Sequence, residues 1–270
     1  RILPIQRPAV RIAGVSLDVT ERRENEDALK RSLASLQRIT KALERNNREL
    51  DQFAYVASHD LKAPLRGIAN LSQWIEEELG EAVNEQAKEY LALLRGRIHR
   101  MEGLIDGILS YSRIGRTTHG VEEIDSGALL RDVIELVSPP EGVEIAVFPG
   151  MPVVRSERLP LQQVFLNLIG NAIKYAGGPG ARISIEAAEA GSFVQFTVRD
   201  NGPGIAPEYH EKIWGIFQTL EPRDKVEGTG IGLALVRKMV ENKGGRAWIE
   251  SEPGKGAAFH FLWPGSEDNE

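Results

Sequence analysis

The sequence contains no cysteine, which excludes disulfides, thiolate chemistry and cysteine-type zinc sites. That fits a reducing compartment, and a cytoplasmic location is expected. No apolar run approaches the ~20 residues of a membrane-spanning helix, so no membrane contact is expected of this stretch. A basic excess is lacking too: the formal net charge is -6 at pH 7. Nucleic-acid binding needs a cationic face that displaces counterions, and none is expected. No signal-peptide pattern occurs, and the chain opens on Arg1, so it reads as a piece of a longer protein. Proline and glycine are nearly missing between residues 21 and 79, where only Pro64 and Gly67 occur. This predicts a helix longer than globular domains usually hold, hence a coiled coil or bundle.

The 270 residues, 41% hydrophobic and 27% charged, suffice for two modest domains with real cores. An apolar stretch over 10–19 reads as a strand, and Thr20 as a helix N-cap. Placing Leu29, Leu36, Leu43 and Leu50 at heptad position d puts Leu33, Thr40, Asn47 and Ala54 at a. The frame runs on through Ala57, Leu61, Pro64, Ile68, Leu71 and Ile75. Polar Thr40 and Asn47 at a lower stability and favour one parallel register. A plain dimerisation stalk and a signalling stalk both fit, and both imply a dimer.

After a break at 80–84, Ala87, Leu91, Leu94, Ile98, Met101, Ile105, Ile108 and Ser112 recur at spacings of four and three. Two helices joined by a short loop make a hairpin, and two hairpins a four-helix bundle. Residues 116–124 read as a linker. Beyond them, helices are expected over 125–137, 161–175 and 231–242. Strands are expected over 143–148, 153–154, 182–187, 193–199, 247–251 and 258–263. Their mixed order suggests a two-layer α/β sandwich.

His59 lies in SHDLKAPL, at heptad position f, furthest from the seam. A lone helical histidine is usually a surface residue. This one is followed by Asp60, with Lys62 a turn away and Pro64 five residues on, where a helix loses a hydrogen bond. A neighbouring carboxylate can hold one ring proton and strengthen attack by the other nitrogen.

Three later stretches suit one ligand. NLIGNAIKY places Asn167, Asn171 and Lys174 on one helical face. Amides inside an apolar helix are costly without partners, and amide oxygens suit Mg²⁺. In DNGPGI, Gly202 and Gly204 allow close backbone approach to a planar ligand, and Asp200 can accept an exocyclic amine. Alone this is only a turn signal. GTGIGLALV is glycine-rich and enters a helix, whose N-terminal amides bind phosphate. A dinucleotide fold would need a strand before the glycines, and the charged EPRDKVE precedes them instead. Residues 206–227, with Trp214, Phe217 and Arg223, look like a lid whose Arg223 or Lys225 could reach a γ-phosphate.

These motifs resemble those of sensor histidine kinases. SHDLKAPL is similar to their phosphoacceptor box, and NLIGNAIKY, DNGPG, WGIFQTL and GTGIGL to their N, G1, F and G2 boxes, in the family's order. The lid through GGRAWIESEPGKGAAF is most similar to phytochrome-type and related hybrid kinases, and AGVSLDVTERRE resembles the exit of a PAS sensor domain. The resemblance implies a dimeric four-helix bundle, one helical hairpin per protomer. A two-layer ATP-binding domain shared with Hsp90, gyrase B and MutL would follow it. The implied layout is a PAS-like remnant over 1–20, a coiled-coil helix over 21–50 and a phosphotransfer hairpin over 51–115. The linker of 116–124 would then lead to the catalytic domain over 125–265.

Carried over residue by residue, the resemblance makes His59 the acceptor and Asp60 its activating acid. Asn171 would hold Mg²⁺, Asn167 would act near the phosphates beside Lys174, and Tyr175 would lie by the nucleotide. Asp200 would read adenine, flanked by Gly202, Gly204, Ile205 and Phe217. Gly228, Thr229, Gly230, Ile231, Gly232 and Leu233 would cradle ATP, with Arg223 above it. The phosphoryl group would pass to an aspartate of a response regulator. Ala63 stands where relatives with strong phosphatase activity often carry Thr or Asn, so weak phosphatase activity is expected. Thr219 stands where phytochrome-like relatives often have Arg. The alternatives are an ATPase clamp of the same superfamily without phosphohistidine, and a non-catalytic scaffold. The His59 box argues against the first, and intact Asn171, Asp200 and glycine boxes against the second. His99, His119, His210 and His260 read as surface or packing residues.

Overall fold

The structure, a computed structural model of the chain, describes residues 20–80, 84–115, 120–176, 179–220 and 228–265. The expected strand over 10–19, His119, Arg223 and Lys225 lie outside the described residues, as do the side chains of Leu43, Asn47, Leu50 and Ala54. Two units are distinguishable, Arg1–Leu50 and Asp51–Glu270. In the first, the described residues belong to α1 (Thr20–Leu79). The helix includes Thr20, so the expected cap sits one residue inside, within the usual ambiguity of a helix end. The seam positions Leu29, Leu33 and Leu36 are at least half exposed.

In the second unit α1 runs through Pro64 without interruption. After the turn at Gly80, α2 (Glu85–Arg113) starts at Asn84, whose side-chain oxygen accepts from the Ala87 amide at 2.8 Å. Cross-helix pairs set the antiparallel register: Tyr55 with Arg113 (5.7 Å, cation over ring), Lys62 with Asp106, and Glu76 with Arg95 (2.6 Å). Leu65 packs with Ile98 and Ile105, and Ser58 and Ser72, seven residues to either side of Leu65, are buried on the same face of α1. On α1 this inner face is offset by one residue from the heptad stripe, whereas on α2 it contains Ile98 and Ile105 of the expected stripe. Leu61, Ile68, Leu71 and Ile75 stay 44–55% exposed, and Leu94, Met101 and Ile108 of α2 stay 39–49% exposed. One neighbouring helix covers one stripe only, so the second apolar stripe of each helix is left open.

Of the linker expected over 116–124, residues 116–119 lie outside the described residues and 121–124 are strand. Its last residues form β1 (Val121–Asp125), antiparallel to β3 (Val153–Glu157), because Ile124 is fully buried. Asp125 then caps α3 (Ser126–Val137), accepting from the Ala128 amide at 3.0 Å. The main sheet holds β2 (Glu144–Val147), β4 (Arg182–Ala190), β5 (Phe193–Asp200), β6 (Ala247–Ser251) and β7 (Ala257–Pro264), ordered β2-β4-β5-β7-β6. Only β2–β4 is parallel. Alternate residues of β5 and β7 face α4 (Arg158–Tyr175) and α5 (Gly232–Asn242), and α3 packs on α4. Phe165 of α4 stands edge-on to Phe196 and Phe261, 5.2 and 5.5 Å away.

The lid expected over 206–227 is corrected in its first half. Residues 207–209 and 212–214 form 3₁₀ turns, and Ile213 and Trp214 are buried, with Trp214 edge-on to Phe259 at 6.1 Å. Two large apolar side chains in the core anchor this segment, and Ile213 borders the cleft as fixed wall rather than as part of a lid.

Candidate active site

On α1, His59 is 75% exposed and Asp60 72% exposed, with Nδ1 of the imidazole 3.3 Å from Oδ1 of the carboxylate. A proton on Nδ1 can therefore be held by Asp60, which leaves the lone pair on Nε2 turned to solvent. Lys62, one turn on, is paired across the hairpin with Asp106. Ala63 is exposed.

The end of β5 and the start of the next loop build the first part of a cleft. Asp200 is 7% exposed, and its Oδ1 accepts from the amides of Gly202 (2.8 Å) and Ala257 (3.3 Å). Burial pushes its carboxyl above the ordinary value, and those two amides oppose the rise. Ile205, Ile213, Leu220, Leu233 and Phe259 supply apolar walls around Asp200, Asn171 and Tyr175. A flat, largely apolar ring with one exocyclic amine matches such a slot. Gly204 has φ +72, and a Cβ there would collide with the Glu252 carbonyl, so only glycine fits. Asn201 is turned away: its side chain accepts from the Arg182 amide (2.7 Å) and donates to the Gly180 carbonyl (3.1 Å).

The cleft continues between α4 and the loop entering α5. Asn167, Asn171, Lys174 and Tyr175 share it with Gly228, Thr229, Gly230, Ile231, Gly232 and Leu233. Asn167 donates to the Gln163 carbonyl at 2.8 Å, and its Oδ1 lies so near Gly232 that a Cβ there would be 2.8 Å away. No side chain caps the start of α5, so its first amides can meet an anion. Lys174 brings positive charge close to Gly228 and lies 4.7 Å over the Tyr175 ring. Among the described residues, no three His, Asp or Glu side chains gather as metal ligands. A divalent ion here would use an amide oxygen such as that of Asn171 together with phosphate oxygens, a donor set that suits Mg²⁺.

The structure thus brings together all the described cleft residues that the sequence pointed to, except two. Phe217 is 42% exposed, has φ +64 and does not line the cleft; Gly202 acts through its bond to Asp200. Gln218, Thr219 and Leu220, read from the sequence only as part of the F box and lid, line the Asp200 end of the cleft. Sequence reasoning missed Ser251, whose Oγ accepts from the Ile205 amide (2.8 Å) and donates to the Gly256 carbonyl (2.7 Å). The GKG turn after β6 was the available signal. His210 and His260 are packing residues, His210 at 3.0 Å from the Ile205 carbonyl and His260 at 2.9 Å from Thr197 Oγ1.

Two family patterns match the chain. The His Kinase A (phospho-acceptor) domain matches residues 49–117, and the histidine kinase-, DNA gyrase B- and HSP90-like ATPase matches residues 156–267. The chain is 39% identical over 241 residues to the phytochrome-like protein Cph1 of Synechocystis, covering 87% of this chain and 32% of that protein. It is 42% identical over 224 residues to cyanobacterial phytochrome B of Nostoc, covering 81% and 30%. It spans about a third of the length of these relatives. Among solved structures, full-length ShkA in complex with AMPPNP is similar at a TM-score of 0.60 and 29% identity, covering 79% of this chain and 46% of that one. Among the described residues, no helix is long and apolar enough to cross a membrane.

Proposed function

The chain belongs to the sensor histidine kinases, and from that membership we propose that it binds ATP with Mg²⁺ and phosphorylates its own His59. The observation that carries this reading is the His59–Asp60 pair, open to solvent and 3.3 Å apart, in one folded unit with the Asp200 cleft. Asp200 and the apolar walls take adenine, while Asn167, Lys174 and the uncapped amides of α5 take the phosphates. Mg²⁺ held by Asn171 would offset phosphate charge.

Nε2 of His59 attacks the γ-phosphorus, the bond to the β-phosphate oxygen breaks, and ADP leaves. The ring gains positive charge as Nε2 bonds, and Asp60 stabilises it by holding the Nδ1 proton. Positioning and charge neutralisation supply most of the acceleration in such transfers. The phosphoryl group then passes from Nε2 to an aspartate of a response regulator, in the cytoplasm. The open stripes on α1 and α2 support a homodimeric four-helix bundle, continued by a coiled coil along the Leu29–Leu33–Leu36 seam.

Incubation with γ-labelled ATP and Mg²⁺ tests this. The expected label is acid-labile, alkali-stable and absent from His59→Gln. Phosphate release without label would instead favour a clamp ATPase, and neither signal a scaffold.

A further inference from the structure

The nucleotide domain meets the hairpin along one seam. Going up α2, Gly103 faces Thr229, Gly107 faces Ile231, Tyr111 faces Lys238, and Gly115, just past the helix, faces Asn242. The spacing is four, one contact per helical turn. A Cβ on Gly107 would stand 2.5 Å from Ile231 Cδ1 and 3.2 Å from Ile231 Cβ. On Gly103 it would stand 3.0 Å from Thr229 Cγ2. Lys238 Nζ donates to the Tyr111 carbonyl at 2.8 Å and lies 3.9 Å from the ring centroid, which fixes the seam along the axis. Glycine inside a helix is unfavourable relative to alanine, so these two positions answer to something other than helix formation. Gly96 of the same helix has nothing within 4 Å of its would-be Cβ and serves as a contrast.

Gly107 also lines the phosphate end of the cleft, beside Asn167, Asn171 and Lys174. Its height along the hairpin follows from the cross-helix pairs. Tyr55–Arg113 and Lys62–Asp106 bracket His59, and Gly107 adjoins Asp106. Gly107 therefore stands within roughly one turn, ~5.4 Å, of the level of His59.

We infer that Gly103 and Gly107 are positioning residues for phosphotransfer. Their missing side chains let residues 229–231 sit on α2, so that the phosphate end of the cleft stands at the height of the acceptor histidine. The inference rests on the proposed phosphorylation of His59.

The test uses the full chain, Mg²⁺ and γ-labelled ATP for the rate of His59 labelling, and a non-hydrolysable ATP analogue for affinity. Gly107→Ala is expected to slow labelling about tenfold or more, since small misplacements are costly to transfer, with analogue affinity unchanged. Gly96→Ala is expected to leave both unchanged. Adding Ile231→Ala to Gly107→Ala is expected to restore the rate towards that of Ile231→Ala alone, because it removes the colliding atoms. Undiminished labelling by Gly107→Ala, an equal loss of affinity, or no restoration would overturn the inference.

If Gly107→Ala does not fold, Gly103→Cys combined with Thr229→Cys replaces it, in a chain with no other cysteine. Labelling that survives oxidation within a few-fold of the reduced form supports the positioning role. Loss on oxidation, reversed by reductant, overturns it. A wild type that never labels His59 refutes the kinase reading itself, whereas a labelled wild type with an indifferent Gly107→Ala refutes only the seam.

Discussion

Nδ1 of His59 is 3.3 Å from Oδ1 of Asp60 although the two residues are adjacent on a helix. Side chains at i and i+1 point to different parts of a helix surface, so this pair meets by reaching sideways at the solvent boundary. A nucleophilic imidazole held that way is oriented by the carboxylate.

Asp60→Asn keeps the shape and removes the charge. The initial rate of His59 labelling is expected to fall about a hundredfold, the lower range for a positioned acid or base, while affinity for an ATP analogue holds. Equal rates would remove Asp60 from the chemistry.

Asp200 is the proposed ligand group of the cleft, and its burial works against its charge. Burial raises its folded-state pKa above the unfolded value. The folded state therefore binds the proton more tightly, and the stability this gives is present at low pH and lost as pH rises through the folded pKa. Asp200→Asn is expected to melt no lower than wild type at pH 7 without nucleotide. It should bind ATP more weakly by about 1.5–3 kcal/mol, the worth of a hydrogen bond to a charged group. Thermal melts with and without analogue measure both.

Ile68→Glu together with Met101→Glu places charge on the open stripes of α1 and α2. Sedimentation velocity is expected to report a monomer for this variant and a dimer for the wild type, because burying unpaired carboxylates between helices is unfavourable. A dimer that persists would place the interface elsewhere.

Ala63 is exposed one turn after His59 and has no polar atom with which to hold a hydrolytic water. Decay of phosphate on the response regulator is expected to be slow with the wild type and faster with Ala63→Thr. Fast decay with the unmodified protein would refute weak phosphatase activity.

Trp214→Ala removes a buried ring from the Phe259 contact. A loss of about 3–5 kcal/mol is expected, as for other large-to-small aromatic changes in cores. Urea denaturation measures it.

Much of this was legible locally. Asn167, Asn171 and Lys174 share a face because they sit four and three apart on one helix, and Asp200 announces itself at the junction of a strand and a glycine turn. The strand β1 was not legible, since VEEID has a single buried residue, Ile124, and so shows no alternation. The end of β3 was hidden for a related reason. Ser156 and Glu157 look like loop residues, yet they are buried because Trp263 Nε1 donates to Ser156 (3.0 Å) and Lys243 to Glu157 (2.7 Å). Trp214 read as part of a lid because the charged run after it dominates the segment. The α2–α5 seam joins residues more than a hundred positions apart, and no periodicity within one helix reports which side of another will meet it.

The main sheet finishes in two brief outer strands, four residues in β2 and five in β6, with Glu144 and Glu250 exposed on them. Short, charged margins offer little template for strand-to-strand pairing with another molecule. When two copies are tethered at high local concentration by their helices, their nucleotide-binding halves have no easy way to zip into a shared sheet. Each can then work as a separate body on the common bundle.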